Sequence, residues 1–571
     1  MDKNKQQQQD ERLTGTLLRR AMDTAIQQGG IKIQPLVRDD QTALDEPWPV
    51  THLQFDREHG QIKVQLSGDE QQIGFLARWS LFRLYIKHRN LLYESDPLDV
   101  LHTALGAEKL QLTLVLPAYF SKVFHREFFR VYLESRVKIQ ARLHLPGLDL
   151  LGQLEDLSAG GCRMALPPQA ALHLLQPFSE TPKCSLIFPN GESVTTPFEL
   201  TYLQPDEGFL HAQVGCHFAH ESPDDERRFF HYTLEAEREI ARLTNVQRVS
   251  KFPSRLFQRP EKKAEQAKRK TRHEQTDAEL LMPTGYADII QQLADQLALQ
   301  VLRLSGLHKL DADRMKPLAM RLIELLDNNE NAIRLALQLP NPGINSILLH
   351  TLRVATFCFP LAFKIGLARG QELQVMVSLL LHDLGKLFVS RQPCFNPQKQ
   401  SHETLRQMKQ NQIHLLRAAA KLHWISPSIG ESLLVNANER LDGSGYPRGL
   451  EAEQLDPLSR MISVAKVLDC LVHCYHDPSM RWRDAYKWVY QHDEWFDKPM
   501  LKRFIKRYGL RPVGSRLVYK NGYLACVTQV DKHGEVLEVV LLQYLKNPNA
   551  SIRGDRINRP EDLQALGAIH G

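Results

Sequence analysis

The sequence predicts a multidomain protein in which an all-β domain is followed by an all-α domain, with a mixed region before them and a small β segment after them. Three observations support this fold class. The chain has 571 residues, which is too long for a single hydrophobic core. Apolar residues alternate with charged residues through much of 121–246, as in half-buried strands. Over 281–505 the apolar residues recur at helical spacing instead.

The composition is that of an ordinary globular protein, with 43% apolar and 24% charged residues. The formal net charge is +6. Nine Lys/Arg and two Glu between Lys251 and Arg272 give that short segment a charge of +7, which leaves −1 for the rest of the chain. A globally basic nucleic-acid binder is therefore not the default interpretation, and no DNA or RNA partner is expected.

Cysteine usage and apolar runs predict where the chain resides. The eight cysteines form no CxxC pair, and Cys470 and Cys474, four apart in an apolar stretch, are expected to pack rather than to bind metal. The polar start "MDKNKQQQQDERL" cannot be a signal peptide. We identify no apolar run that approaches the roughly twenty residues needed to span a bilayer. We therefore expect a cytoplasmic protein without a transmembrane segment.

The N-terminal half of the chain divides into two predicted domains. Residues 1–120 look mixed: "QIKVQLSG" alternates like a strand, and "GFLARWSLFRLYIKH" fits either a strand or a helix. Residues 121–246 contain strand-like runs and a hairpin-type turn at Pro189-Asn190-Gly191, followed by a capped helix that starts at "SPDDERRFF". This order predicts a small antiparallel barrel closed by a helix.

The C-terminal half begins after a charged segment. Residues 247–280 lack apolar periodicity and are predicted to be a solvated basic linker, either a flexible tether or a nucleic-acid patch. Residues 281–505 carry helical apolar spacing, for example in "SILLHTLRVATFCFPLAFKIGL". Residues 506–571 return to short strands, which predicts a small appended sheet.

Two arginines and a glycine-containing turn form the first candidate site. "HREFFRVYL" places Arg126 and Arg130 four residues apart, just before the first barrel strand, and "EDLSAGGCRM" supplies Asp156, Ser158 and Gly161. A guanidinium is a planar fork of donors that suits phosphate oxygens and the O6/N7 edge of guanine. Together these residues favour a guanine nucleotide with several negative charges. The alternative is two exposed arginines beside an ordinary turn.

This pattern, RxxxR followed by DxSxxG within an all-β segment, resembles the PilZ domain. The resemblance implies a six-stranded barrel that binds cyclic di-GMP. It implies that Arg126 and Arg130 grip guanine faces and phosphates, that Asp156 and Ser158 contact guanine, and that Gly161 permits close approach. The segment before the barrel resembles the N-terminal domain of flagellar-brake-type PilZ proteins.

A histidine–aspartate pair and a distant loop form the second candidate site. "LLLHDLGK" places His382 and Asp383 at the end of an apolar helix, and "LLHTLRVA" places His350 on an earlier one. Adjacent His and Asp can reach one metal ion when neighbouring helices supply further ligands. Together with the "DGSGYP" loop at 442–447 and with Lys386, the pattern resembles the HD-GYP domain, a phosphodiesterase of cyclic di-GMP. That resemblance implies two or three divalent ions, usually iron or manganese.

Most of the implied metal ligands are replaced in this sequence. Of eight ligand positions, three keep their type: His350, His382 and Asp383. The other five hold residues of a different type, namely Ser346, Asn411, Ala437, Asn438 and Lys466. An ammonium at position 466 is expected to repel a divalent cation and could neutralise Asp383 in its place. Asp469 or His414 as replacement ligands is the alternative.

We therefore expect a cyclic di-GMP receptor that binds through its PilZ domain. The HD-GYP-like domain is expected to be catalytically inactive, to hold no metal and to act as an interaction or regulatory module for an unidentified protein partner. The alternative is a metal-dependent cyclic di-GMP phosphodiesterase that senses its substrate through PilZ and uses iron or manganese.

Overall fold

The structure is a computed structural model that divides into two compact units, residues 1–129 and 130–571. The described residues are 12–14, 22, 31–36, 48–56, 60–88, 91–106, 109–117, 119–123, 129–133, 137–176, 178, 180–220, 222–244, 253–258, 276–307, 309–341, 343–389, 401–473, 479–547 and 550–570.

The first unit is built on a ten-stranded sheet. Its described strands are β1 Arg12–Thr14, β2 Ile31–Pro35, β3 Trp48–Pro49, β4 His52–Asp56, β5 Gln61–Ser67, β6 Leu81–His88, β7 Leu91–Ser95, β8 Leu98–Leu105, β9 Lys109–Val115 and β10 Tyr119–Val123. The strand order is β1-β10-β7-β6-β8-β9-β5-β4, with β2 added to β6 and β3 to β2. This confirms "QIKVQLSG" as a strand, β5.

The ambiguous segment of this unit forms both a helix and a strand. Helix α1 spans Glu70–Leu76 and is followed by β6. Asp69 starts the helix with a capping box, because its Oδ1 accepts from Gln72 N at 2.8 Å while Gln72 Oε1 accepts from Asp69 N at 3.2 Å. Of the ambiguous segment 74–88, the strand alternative is therefore right for 81–88 and the helix alternative for 74–76.

The second unit begins with an antiparallel barrel, as predicted. Its strands are β11 Arg130–Tyr132, β12 Gln140–Leu145, β13 Leu148–Ser158, β14 Gly161–Leu166, β15 Lys183–Ile187, β16 Ser193–Pro205 and β17 Ala212–Phe218. The order is β11-β13-β12-β15-β16-β17-β14, and pairing of β13 with β14 closes the sheet. The count is seven strands rather than the expected six, because short β11 adds to β13.

Turns and short helices connect the strands of the barrel, and a longer helix follows its last strand. The hairpin between β15 and β16 turns at Gly191, whose φ is 89°, which confirms the turn read from the sequence. After β14 the chain forms helix α2 at Pro168–Ala171 and a 3₁₀ turn at Leu172–Leu174. Helix α3, Pro223–Thr244, follows β17 and buries Phe229 against the barrel.

The helical part of the unit follows. Its helices are α4 Asp277–Leu281, α5 Tyr286–Leu307, α6 Ala312–Gln338, α7 Ser346–Lys364, α8 Glu372–Leu381, α9 His402–Ala420, α10 Pro427–Gly430, α11 Pro457–Val472, α12 Trp482–Gln491 and α13 Lys498–Tyr508. This confirms the predicted helical region. One continuous apolar core includes residues of both the barrel and these helices, such as Leu203 and Leu302.

Helix α7 is long and apolar enough to cross a membrane, but 83% of its apolar stretch is buried within the protein.

The predicted linker needs one correction. Within 247–280, the turn at Arg255–Phe257 buries Leu256 and Phe257, and the Phe257 ring lies 6.3 Å from that of Phe188 on the barrel. Helix α4 begins inside the same stretch, behind the Thr276 cap. The part of the linker that the structure describes is therefore packed at both ends rather than solvated.

The C-terminal segment forms the small sheet that the sequence predicts. Its strands are β18 Arg516–Tyr519, β19 Tyr523–Val530, β20 Val536–Tyr544, β21 Arg556–Ile557 and β22 Ile569–His570, with helix α14 at Pro560–Ala565. The order is β21-β20-β19-β18-β22. Asp277 of α4 pairs with Arg516 at 3.1 Å and with Arg553 at 2.8 Å, which ties the end of the linker to this sheet.

Candidate nucleotide site and candidate metal-type centre

The strand register of the barrel assembles the first candidate site. Across β11 and β13, Arg130 lies opposite Ser158 and Tyr132 lies opposite Asp156. Across β13 and β14, Asp156 lies opposite Arg163. Three residues that the sequence singled out therefore lie together, and the neighbouring strand adds Arg163. Arg126 lies outside the described residues.

Asp156 is the buried anion of this site. Its side chain is fully buried, Arg130 Nη1 donates to its Oδ1 at 2.9 Å, and Arg163 Nε lies 3.2 Å from its Oδ2. Arg163 Nε also lies 3.1 Å from Oε2 of Glu155. A buried carboxylate is stable when charged partners surround it. Here the carboxylate also orients those partners through charged hydrogen bonds. Asp156 therefore fixes two guanidinium groups at one end of the barrel.

The turn between β13 and β14 is held by the barrel itself. Ser158 Oγ donates to the carbonyl oxygen of Gly161 at 3.0 Å, and Phe218 N donates to that of Gly160 at 2.9 Å. A Cβ on Gly161 would overlap the carbonyl oxygen of Cys216 on β17. Glycine at 161 is thus required by strand pairing, in addition to the role in ligand approach that the sequence predicts.

The exposed part of the site is cationic and aromatic. The side chains of Arg130 and Arg163 are 21% and 29% exposed, and Tyr132 is 55% exposed. The Arg163 guanidinium lies over the Tyr132 ring at 5.7 Å from its centroid. The sequence reasoning missed both Arg163 and Tyr132. Strand alternation was the available signal. The turn from Ser158 to Gly161 joins two antiparallel strands, and their pairing brings position 163 opposite Asp156.

The second candidate site lies deep among the helices. His350 comes from α7, His382 and Asp383 follow α8, and Lys466 and Asp469 come from α11. All five residues are buried. One ligand atom each from His350, His382 and Asp383 lies within 4.8 Å of the others, so the three remnant positions named from the sequence do come together.

Both imidazoles are oriented as metal ligands usually are. His350 Nδ1 lies 2.7 Å from Asp469 Oδ2, and His382 Nδ1 lies 2.7 Å from the carbonyl oxygen of Leu379. Their Nε2 atoms lie 3.1 Å and 3.6 Å from Asp383 Oδ2. Metal-binding histidines usually have a hydrogen-bond partner on one ring nitrogen, which orients the other nitrogen toward the metal. Here the partner is on Nδ1, and Nε2 faces the Asp383 carboxylate. In this respect the geometry fits a metal ion.

The carboxylate of Asp383, in contrast, is already neutralised by lysines. Lys466 Nζ donates to its Oδ1 at 2.7 Å, and Lys386 Nζ donates to its Oδ2 at 2.7 Å. Lys466 Nζ also donates to Oδ1 of Asn438 at 2.6 Å. Burial by itself would raise the pKa of the Asp383 carboxyl, but the two lysines hold that pKa well below its usual range. Both oxygens that a metal would need are therefore hydrogen-bonded to ammonium groups.

The charge of this cluster does not fit a divalent cation. The hydrogen bonds connect two carboxylates, Asp383 and Asp469, with three cations, Lys386, Lys466 and Arg353, so that these five side chains together carry a net charge of +1. Burial lowers the pKa of Lys466 to about 8, so this side chain still carries its charge at neutral pH. A divalent ion would raise the total of these groups to +3 in a buried site, where like charges are poorly screened, at a cost of several kcal/mol. The donor set therefore does not fit iron or manganese.

The two replacement ligands considered from the sequence do not complete the site. Asp469 Oδ1 accepts from Arg353 Nε at 2.7 Å, and Asp469 Oδ2 lies 2.7 Å from His350 Nδ1. Both oxygens of Asp469 are therefore already hydrogen-bonded. Burial would raise the pKa of Asp469, but Arg353 and His350 lower it far below the usual range. His414 is exposed and lines a groove of about 420 Å³ with Arg417 and Lys421, away from the buried trio.

The glycine-rich loop at 442–447 is folded around a carboxylate that sequence reasoning missed. Buried Glu439 accepts from Arg448 N at 2.7 Å and from Leu450 N at 3.1 Å. A Cβ on Gly445 would overlap the backbone of Glu439, so the close approach requires glycine there. The available signal in the sequence was an acidic residue, Glu439, just before a turn rich in glycine.

The barrel contacts the elements that carry this second site. Gln169 of α2 accepts from the backbone N–H of Asn345 at 2.8 Å, and Asn345 is the residue that caps α7. Gln176 Nε2 donates to the carbonyl oxygen of Leu387 at 3.4 Å, in the turn after Asp383. The connection that follows β14 therefore contacts the start of the helix that carries His350 and the turn that follows Asp383.

Models of two protein families match parts of the chain. A model of the PilZ domain matches residues 124–235, and a model of the HD domain matches residues 318–499. Cyclic di-GMP phosphodiesterase PA4108 of Pseudomonas aeruginosa is 28% identical over 192 residues, which cover 33% of this chain and 45% of that protein. Cyclic di-GMP phosphodiesterase PdeB of Borreliella burgdorferi is 24% identical over 234 residues, which cover 38% of this chain and 61% of that protein. This chain spans less than two thirds of the length of either relative.

Two solved structures are also similar to the chain. YcgR of Escherichia coli in complex with c-di-GMP is 12% identical, with a TM-score of 0.27, and the match covers 42% of this chain and 98% of that chain. The K. pneumonia MrkH–c-di-GMP complex is 16% identical, with a TM-score of 0.23, and the match covers 39% of this chain and 94% of that chain.

Proposed function

We propose that this chain, in which a PilZ domain precedes an HD domain, is a cytoplasmic receptor for cyclic di-GMP. The proposed binding residues are Arg126, Arg130, Asp156, Ser158 and Gly161, extended by Arg163 and Tyr132 from the same end of the barrel. The observation that carries the proposal is the buried Asp156 carboxylate holding Arg130 at 2.9 Å beside the turn of the PilZ motif.

The chemistry of this site suits a dianionic dinucleotide. A guanidinium has five N–H donors, and Asp156 engages Arg130 through Nη1 alone among the described residues. The guanidinium is fixed by the carboxylate and the Arg130 side chain is 21% exposed, so that little rotamer entropy is lost when a phosphate or a guanine edge binds. Tyr132 and Arg163 add planar faces on which a guanine base can stack.

We further propose that the HD domain does not hydrolyse cyclic di-GMP and serves as a regulatory or interaction module. The buried cluster has a net charge of +1 before any metal is added, which supports this assignment. The contacts of Gln169 and Gln176 with the HD domain give the barrel a route by which nucleotide binding could bias that module. Its protein partner stays unidentified, and no DNA or RNA partner is proposed.

The second candidate function is a phosphodiesterase with a PilZ sensor. Two observations favour it: the curated relatives carry that name, and the Nε2 atoms of His350 and His382 converge on Asp383. The two lysines on Asp383 oppose it.

Calorimetric titration of the full chain with cyclic di-GMP tests the receptor function. We expect saturable heat from the wild type and none from Arg126→Ala or Arg130→Ala. Arg142→Ala is the matched control, because this barrel arginine is 43% exposed and pairs only loosely with Asp149, at 3.8 Å. Equal binding by wild type and Arg130→Ala would overturn the receptor function.

Incubation of the same protein with cyclic di-GMP and manganese or ferrous iron tests the second candidate. Chromatography of the nucleotide is expected to show it unchanged. Appearance of the linear dinucleotide at a rate proportional to protein concentration would favour the phosphodiesterase.

A further inference from the structure

We propose that the ammonium group of Lys466 takes over the structural task of a metal ion in the HD domain, as a built-in cation that connects three elements. This rests on the proposed function only in treating the HD domain as non-hydrolytic. The three elements are α11, which carries Lys466, the turn after α8, which carries Asp383, and the segment before the glycine-rich loop, which carries Asn438.

The geometry of Lys466 is that of a bridging cation. Its Nζ donates to Asp383 Oδ1 at 2.7 Å and to Asn438 Oδ1 at 2.6 Å, and the side chain is 8% exposed. The two acceptors lie 83 and 28 residues away along the chain. A metal ion stabilises a fold by the same means, because it binds ligands from distant segments at one point. Here a covalently attached charge does so without a binding equilibrium.

The neighbouring replacements are consistent with an ammonium and not with a divalent ion. Asn438, at a position where the resemblance implies histidine, presents an amide oxygen that accepts from Lys466. Asn411, at another such position, donates instead to the carbonyl oxygen of Gly385 at 3.2 Å. Ala437 is buried and offers no ligand atom. Of these three positions, Asn438 therefore contacts the lysine directly, through its amide oxygen.

The charge balance supports the same assignment. Lys386 and Lys466 each take one oxygen of Asp383, so the carboxylate is compensated without a further ion. An unpaired buried carboxylate costs several kcal/mol, so the domain needs some cation at this point. Lysine supplies one that chelators cannot remove.

Metal content and thermal unfolding of the full chain test this inference. We expect the wild type, purified after exposure to manganese, to hold far less than one equivalent, and its unfolding temperature to be unchanged by EDTA or by added manganese. Lys466→Asp restores a carboxylate beside His350, His382 and Asp383, so we expect its manganese affinity to rise about tenfold or more. Its unfolding temperature should then rise with manganese and fall with EDTA.

Lys466→Met serves as the control of similar length without charge. It should unfold at a lower temperature than the wild type and should not be rescued by manganese. If Lys466→Asp does not fold, the wild-type measurements still decide. Stoichiometric manganese or iron in the wild type, or a lower unfolding temperature in EDTA, would overturn the inference. Cyclic di-GMP titration of the same samples separates this failure from a failure of the proposed receptor function, since the barrel residues are unchanged.

Discussion

The Nζ atom of Lys466 lies 2.7 Å from Oδ1 of Asp383, and both side chains are buried among helices. Two residues that are 83 positions apart in the chain thereby form an ion pair at the centre of the HD domain. The same carboxylate also receives Lys386, so its charge is more than balanced.

The buried carboxylate of the barrel site should matter for ligand binding without touching solvent. We expect Asp156→Ala to weaken cyclic di-GMP binding about tenfold or more, or about 1.4 kcal/mol, because Arg130 and Arg163 lose the group that orients them. Calorimetric titration measures the change. Asp149→Ala, on the same strand and 53% exposed, is the control and should bind like the wild type. Identical affinities for both variants would contradict this role of Asp156.

Glycine at position 161 should be required for barrel stability. Gly161→Ala places a Cβ against the carbonyl oxygen of Cys216, and strand pairing leaves little room for either to move. We expect a loss of about 1–3 kcal/mol, seen as a lower temperature of thermal unfolding by circular dichroism. Gly208→Ala is the control, since its Cβ would meet no neighbour closer than 3.6 Å. Equal unfolding temperatures for the two variants would argue against the steric explanation.

The contact between the barrel and the start of α7 should stabilise that helix end. Gln169→Ala removes the acceptor of the Asn345 backbone N–H in a buried position, at a cost of about 1–2 kcal/mol. Hydrogen–deuterium exchange should therefore become faster at residues 345–350, the stretch that includes His350. Gln153→Ala changes an exposed glutamine on β13 and should leave this exchange as it is. No acceleration in Gln169→Ala would exclude the contact as a stabilising one.

The stability of the helical region should depend on pH through Glu330. Arg507 Nη2 donates to both Glu330 oxygens, at 2.7 Å and 2.6 Å, and Arg334 Nη1 lies 3.1 Å from Oε2. Burial would raise the pKa of Glu330, but the two arginines lower it below the usual value. A lowered carboxyl pKa contributes stability above the unfolded-state pKa of about 4.3, and this contribution is lost as pH falls.

Thermal unfolding of the wild type and of Glu330→Gln, followed from neutral pH to well below the unfolded-state pKa of about 4.3, measures this dependence. The variant should unfold at a lower temperature at neutral pH, by the equivalent of about 2 kcal/mol, and the difference should shrink only as the pH falls below about 4.3. Glu324→Gln breaks an exposed pair with Arg321 and should change little at any pH. A difference between wild type and Glu330→Gln that stays constant with pH would show that the charge is not responsible.

Much of the architecture follows from local pattern. Alternation and turn residues predicted the barrel, helical spacing predicted the region from α5 to α13, and the motifs placed Asp156, Ser158 and Gly161 at one turn. The segment 74–88 was the least determined, because the end of helix α1 and the whole of β6 lie in one apolar run. The Asp69 capping box fixes where the helix starts, and its hydrogen bonds depend on the folded backbone.

The sequence by itself determined the order of domains, the motif positions and the loss of five implied metal ligands, because these depend on residue type and spacing along the chain. Tertiary structure decided which groups meet: Arg163 with Asp156, Gln169 with Asn345, and Lys466 with Asp383. Spacing shows which side chains point inward. Which distant residue each of these side chains contacts depends on how strands register and helices pack. In the buried cluster around Asp383, that packing produces the net positive charge.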